Sequence, residues 1–394
     1  MDDNLRVKPN YTIRQLTGYF FTLGYSGFGG PVALIGYMHR DLVENKKWIS
    51  EEDYREGLAL AQLAPGPLAA QVSIYIGFIH YRILGATLAG LAFVIPSFLI
   101  VVALGIAYKI FGGLPWMLAI FYGVGAAVIG IILLSSYKLT LKSVSKLNPG
   151  SVRANGLLWT LYLSGFILTV LTQSEELLLF IIAGLIYMFY KSPPSQMKLS
   201  KSIKSLFLVS GFGFWNYEPE TLEKMGLFFL KAGAFVFGSG LAIVPFLHGA
   251  VVSQNHWLTE SQFIDAVAVA MITPGPVVIT VGFIGYLIAG FPGATVASVA
   301  TFLPCYLFTI IPAPYFKKIS KISSVKAFVE GITAAVVGAL MGSVIVIASR
   351  SIKDIPTFLI ALASLLVLIY NKKIKEPVII ILAALLGVII KIIL

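Results

Sequence analysis

Ala61–Val72 reads AQLAPGPLAAQV, and Ala270–Val281 reads AMITPGPVVITV. Each puts Pro-Gly-Pro in the middle of an apolar run that would otherwise be one helix. Proline lacks a backbone N–H and clashes with the preceding turn, while glycine reaches φ values closed to other residues. The tripeptide Pro65-Gly66-Pro67 therefore ends one helix near Ala64 and starts another near Pro67, where proline suits the first helical position. Pro274-Gly275-Pro276 does the same in the second copy.

Around these motifs the chain is greasy throughout. Of 394 residues 58% are hydrophobic and 12% charged, whereas a soluble protein carries roughly 25% charged residues. Mean hydropathy is +0.89. Apolar runs of about 20 residues, enough to span a bilayer, recur from end to end. The composition predicts an all-α polytopic membrane protein, multi-pass in the cell (inner) membrane. Met1–Asn10 is polar and the first apolar run too long for a signal peptide, so no cleavable leader is expected. The net charge of +11 comes from basic residues clustered in loops, a positive-inside pattern rather than a nucleic-acid footprint. The single cysteine, Cys305, excludes an internal disulfide. No HExxH, GxxxxGK[ST] or paired CxxC occurs and the four histidines are scattered, so no metal and no cofactor is expected.

The two motifs belong to a duplication. A shift of 209 residues puts Phe20 on Phe229, Gly24 on Gly233, Phe28 on Phe237, His39 on His248, Trp48 on Trp257 and Glu51 on Glu260, and then superimposes the two Pro-Gly-Pro motifs. One residue out of step, GAT at 85–87 matches GAT at 293–295 and Pro96 matches Pro304. The expected organisation is a first repeat over 1–190, a polar linker over 191–224 containing Pro193-Pro194, and a second repeat over 225–394. Apolar segments fall at 13–38, 57–81, 84–108, 115–136, 155–171 and 177–190, then at 226–250, 263–289, 293–315, 326–349, 355–370 and 377–394.

Loop charges constrain the topology. His39–Glu56 carries four Lys or Arg and Tyr137–Ala154 carries four, while Val251–Gln262, the repeat-mate of His39–Glu56, carries none. By the positive-inside rule the equivalent loops lie on opposite faces. Three apolar segments separate the two basic loops, so one of them must enter and return; the Pro-Gly-Pro segment is the candidate. One re-entrant or broken segment per half makes two inverted-topology repeats. A full crossing by 13–38 opposes this count, because it puts Arg6, Lys8 and Arg14 on the outer face.

Broken backbone at membrane depth is tolerated only when buried in protein or facing a cavity. The helix restarting after each break offers free amides at its positive end, around Leu68–Gln71 and Val277–Thr280, which suits an anion. Two such ends, brought face to face, would hold a small dianion near the midplane; the competing reading is a packing kink. A second pair of breaks, GFGGP at Gly27–Pro31 (with Gly29 and Gly30) and VFGSG at Val236–Gly240 (with Gly238 and Ser239), reads equally as unwound backbone or as close helix packing. Lys231, whose repeat-mate is Thr22, lies in an apolar stretch and is a candidate for attracting the anion, or a side chain that snorkels to the interface. Glu56 and Asp265 align at the mouths of the two Pro-Gly-Pro segments and are candidates for coupling protons, or interfacial carboxylates. Gln62, Gln71, Thr273 and Thr280 flank the motifs with hydrogen-bonding groups, and His39 and His248 read as interfacial.

FGGPVALIGYMHRDLVE, ALAQLAPGPLAAQ and FVIPSF in the first half, with FGSGLAIVPFLHG, DAVAVAMITPGPVVIT and TFLPCYLFTIIPAPYF in the second, resemble the chromate transporter family in its long-chain, two-repeat form. The resemblance spans nearly the whole chain. It implies chromate efflux by a secondary transporter, coupled to protons or to a counter-anion such as sulfate, with another tetrahedral oxyanion as the alternative cargo; a homodimer is compatible with it. Moving a charge across the potential is worth ~2.3 kcal/mol per 100 mV, so expelling a dianion from an inside-negative cell gains roughly twice that. An oxyanion channel and a sulfate importer are the alternatives within transport. An enzyme acting on lipid would need a nucleophile or acid–base set, and none is apparent.

Overall fold

The computed structural model describes residues 9–28, 30–144, 155–172, 177–193, 219–236, 243–316, 322–352, 354–371, 374 and 376–393. They form fourteen α-helices, and no strand occurs among them. In chain order these are α1 (Ile13–Ser26), α2 (Gly30–Met38), α3 (Glu51–Leu63), α4 (Leu68–Phe111), α5 (Pro115–Ser143), α6 (Gly156–Thr172) and α7 (Leu177–Lys191), followed by α8 (Pro219–Ala234), α9 (Ile243–His248), α10 (Glu260–Ile272), α11 (Thr280–Ile310), α12 (Ser323–Ser351), α13 (Ile355–Tyr370) and α14 (Glu376–Ile393). Four stretches are long and apolar enough to cross a membrane: Leu68–Phe111, Pro115–Ser143, Val277–Tyr315 and Ser323–Ser351. Large apolar side chains stand exposed along α13 and α14, among them Ile355, Phe358, Leu382 and Leu385. Such a surface fits lipid rather than water.

Both helices entering a Pro-Gly-Pro start on a side-chain cap. Ser50 Oγ accepts the Asp53 N–H ahead of α3, and Thr259 forms a capping box with Gln262 ahead of α10. The caps satisfy orphan amides at a polar boundary, so the helices begin at Glu51 and Glu260, earlier than the apolar runs alone suggest. α3 ends at Leu63 and α4 begins at Leu68, with the break between them.

The chain then doubles back. Gly57 of α3 lies against the ring of Tyr75 in α4, so the helices on either side of the break run antiparallel. α4 itself folds at Arg82, whose φ of 54° interrupts the helix, and Gly77 and Gly85 pack so closely that a methyl at either would overlap the other's carbonyl oxygen. α11 folds in the same way at Ala289 and Gly290, with Gly285 against Gly293. Asp265 in α10 and Phe283 in α11, on opposite sides of the second break, both reach Tyr108.

The segment 13–38 departs from the reading of one crossing. α1 and α2 form a hairpin about residues 27–30: Tyr19 of α1 hydrogen-bonds Asp41 beyond α2 at 3.4 Å, and Tyr11 stacks on Trp48 with ring centroids 4.9 Å apart. Tyr11 therefore sits beside the basic loop His39–Glu56, while Arg6 and Lys8 lie outside the described residues. With two returning segments in each half the crossing count is no longer odd, so opposed insertion rests on the loop charges and not on that count. The equivalent pairing in the second half is Phe228 of α8 stacked on Phe246 of α9. α8 begins at Pro219, inside the stretch assigned to the linker; residues 194–218 of that linker lie outside the described residues.

The core follows the duplication. Phe20 and Phe229, equivalent in the two halves, are both fully buried, in separate apolar clusters that each draw residues from both halves, Val101 and Val128 packing with Phe229, and Cys305 and Phe316 with Phe20.

Candidate functional site

Each Pro-Gly-Pro meets the glycine-rich break of the other half. The Gly66 N–H donates to Val236 O at 2.5 Å, and the Gly275 N–H donates to Gly27 O at 2.8 Å. Gly66 and Gly275 are repeat-mates, as are Val236 and Gly27, so the two bonds are one interaction made twice. Such reciprocity is what a two-fold relation between the halves produces.

Glycine is required at both tips. Gly66 has φ +142° and Gly275 φ +91°. A methyl on Gly66 would stand 2.8 Å from Gln71 Nε2, and one on Gly275 would overlap Ser97 Oγ, which itself donates to Gly24 O at 3.0 Å.

The amide supply at the restarting helices is smaller than the sequence suggests. Gln71 N–H is taken by Pro67 O, Ile279 N–H by Pro276 O and Thr280 N–H by Val277 O. A short 3-10 turn over Val277–Ile279 makes the second helix start tighter than the first. What remains ahead of the ladders are the amides of Leu68, Ala69 and Ala70 in one half and of Val277 and Val278 in the other.

Beside the first set lies Gln71, fully buried. Its Nε2 donates to Pro65 O at 2.9 Å, and its Oε1 has no hydrogen-bond partner among the described residues. A buried carboxamide oxygen left alone is costly and calls for a partner such as an ordered water. Thr280, the repeat-mate of Gln71, is also fully buried and closes on Val277 O at 2.7 Å. Thr273 is spent on Val269 O, and Gln62 is exposed.

The two carboxylates differ. Asp265 is buried and accepts a hydrogen bond from Tyr108 Oη at 2.6 Å, a contact between halves. Glu56 is half-buried and hydrogen-bonded to Tyr75 within its own hairpin. His39 and His248 both join a carboxylate at the start of the following helix: Glu51 at 2.8 Å and Glu260 at 2.7 Å. The His39 hydrogen bond holds exposed Glu51 below the usual carboxylate range. Arg350 adds to the second pair, 3.5 Å from the other Glu260 oxygen. Lys231 is exposed on α8. Gly29, Gly238 and Ser239 lie outside the described residues, and Gly30 has φ +73°. Among the described residues no cluster of His, Cys, Asp and Glu has the arrangement of a metal site.

Sequence reasoning missed one convergence of side chains. A cavity of about 460 Å³ is lined by Gln62, Leu63 and Leu68 at the first tip and by Lys142, Lys191 and Lys326 from three other helix ends. Of these lysines only Lys142 falls in a loop whose charge the sequence analysis counts.

The family model described as chromate transporter matches residues 14–189 and 224–388. The chain is 59% identical over 389 residues to a chromate transport protein of Cupriavidus metallidurans, covering 98% of this chain and 95% of the relative. It is 54% identical over 393 residues to a probable chromate transport protein of Synechococcus elongatus, covering 98% of each. A chromate transport protein of Pseudomonas aeruginosa is 28% identical over 393 residues, 96% of this chain and 92% of that one. No solved structure matches the chain.

Proposed function

The chain belongs to the chromate transporter family, and from that premise we propose that it is a secondary transporter of the inner membrane exporting chromate or a related tetrahedral oxyanion such as sulfate. In this reading the halves insert with opposed orientation, and the hairpins carrying Pro-Gly-Pro are re-entrant. The cargo binds where their tips meet the opposite half. The relatives' names support transport of chromate; the direction and the site are inferred from physics.

The observation that carries the reading is the buried Gln71 oxygen without a partner, beside the helix-start amides of Leu68, Ala69 and Ala70. Amides at a helix N-terminus stabilise negative charge without a fixed cation, so the cargo is held but still released. An acceptor oxygen next to them suits a bound water or the hydroxyl of a protonated oxyanion. The reciprocal tip contacts, Gly66 to Val236 and Gly275 to Gly27, give a mechanism for alternating access. Releasing one tip from its partner break opens a path on one face while its equivalent stays closed on the other. In this scheme Asp265 and Glu56 are the groups for a coupling proton, and their tyrosine partners report the state of each hairpin.

Radiotracer uptake into everted vesicles tests it, with potential and proton gradient set independently. Chromate is expected to accumulate when the vesicle interior is positive, and Pro67→Ala or Pro276→Ala should abolish accumulation while the protein still inserts. Undiminished transport by both variants overturns the half-helix site. Uptake confined to right-side-out vesicles overturns export.

A further inference from the structure

The cavity beneath the first tip is built from helix ends that converge from distant parts of the chain. Lys142 closes α5, Lys191 closes α7, and Lys326 opens α12, while Leu63 and Leu68 bracket the first Pro-Gly-Pro. Glu330 is the acid on its wall, and it pairs with Lys191 at 2.5 Å. Lys142 and Lys326 are exposed and have no ion-pair partner among the described residues. The wall thus carries more positive than negative charge, around a space of about 460 Å³, large enough to accommodate a hydrated tetrahedral anion. Lysines are compact point charges with strongly hydrated heads, which attract a dianion without the geometric grip of a bidentate arginine. A capturing site for cargo that must move on needs that kind of moderate hold.

We infer that this cavity is a capture site for a divalent tetrahedral oxyanion, held between Lys142 and Lys326 before it reaches the tip at Leu68. The inference deepens the transport reading and rests on it for the anion's onward path. The cavity opens on the face that bears the basic loops, which by the positive-inside rule is the cytoplasmic one. Focused positive potential there raises the local anion concentration. Glu330 competes with the cargo for Lys191 and keeps the affinity moderate. An anionic lipid headgroup shares the oxyanion's chemistry, so the test separates the two sources.

The purified full chain is reconstituted in nanodiscs of phosphatidylcholine, and binding of radiolabelled chromate and of sulfate is measured at low and high salt. Salt-sensitive binding is expected, weakened about tenfold in the Lys142→Gln/Lys326→Gln variant, as two nearby charges acting through partly screened solvent predict. Glu330→Gln should tighten binding severalfold, a gain that misfolding does not imitate. Unchanged affinity in the double-lysine variant overturns the capture site, as does absent binding by the unmodified chain in neutral lipid. Phosphatidylglycerol binding to the lysines without chromate binding also overturns it and assigns the cavity to a headgroup. If instead the double-lysine variant loses binding while Pro67→Ala and Pro276→Ala transport normally, the half-helix site falls and the capture site stands.

Discussion

Gly275 has no room for a side chain. Its φ of +91° lies in a region that costs an L-residue about 1–2 kcal/mol, and an added methyl overlaps Ser97 Oγ. Gly66 meets softer neighbours, the end of the Gln71 side chain and Cys305 Cβ at 3.1 Å. Gly275→Ala is therefore expected to lower the apparent Tm in detergent and to abolish transport, at a cost of about 3 kcal/mol from strain and overpacking together. Gly66→Ala should cost less. Adding Ser97→Gly to Gly275→Ala should restore part of the stability, because it removes the overlap and leaves the φ strain. A double variant no more stable than Gly275→Ala alone would show that the hydroxyl is not the obstacle. At this scale the sequence was legible: prolines and glycines mark broken helices through backbone chemistry that needs no tertiary knowledge. The spent amides of Gln71, Ile279 and Thr280 were not, because whether a helix start tightens into a 3-10 turn depends on what packs around it.

Elements that are equivalent in sequence have acquired different environments. His39 and His248 each tie the end of one hairpin to the start of the next, through Glu51 and Glu260. The first histidine is 31% exposed and the second 3%, and only the second pair has Arg350 beside it. Removing Glu260 leaves the buried His248 ring without its hydrogen-bond partner, a loss of about 1–3 kcal/mol, whereas a solvated pair adds little. Glu260→Ala should lower the apparent Tm more than Glu51→Ala; equal losses would contradict the burial argument. Tyr108→Phe is a second element-scale test, since it breaks the bond to Asp265 between halves at a cost of about 1–3 kcal/mol. If Asp265 carries the coupling proton, Asp265→Asn should also leave flux insensitive to an imposed proton gradient. The α1–α2 hairpin shows why elements were harder to read than residues. An apolar run over 13–38 is long enough for one crossing, and hydropathy does not distinguish a crossing from two half-length helices folded together. The deciding contacts, Tyr11 on Trp48 and Tyr19 on Asp41, join residues far apart in sequence.

For the molecule as a whole, contacts and charges combine into one topology. Tyr11 stacks on Trp48 in His39–Glu56, and Lys191 pairs with Glu330 near the basic start of α12. Tyr108 meets Asp265 at the far end of α4, and Tyr122 meets Asp354 at the start of α13. The helix ends bearing Lys142, Lys191 and Lys326 thus gather together, while Asp265, just after Val251–Gln262, lies by Tyr108 at the other end of α4. Convergence of three lysines on one cavity follows from that gathering, and no linear pattern in the sequence announces it. Asn45 and Gln254 give the decisive test, because they are repeat-mates, both exposed, and both end the short π-helical turn before a Pro-Gly-Pro hairpin. Cys305 is the single cysteine in the chain and is buried, so its replacement by serine supplies a cysteine-free background. On that background Gln254→Cys should react with a membrane-impermeant maleimide in intact cells, and Asn45→Cys only after permeabilisation. Labelling of both from the same side would make the halves parallel. The two tips would then open to one compartment, and alternating access by exchange between equivalent hairpins would fail with the topology.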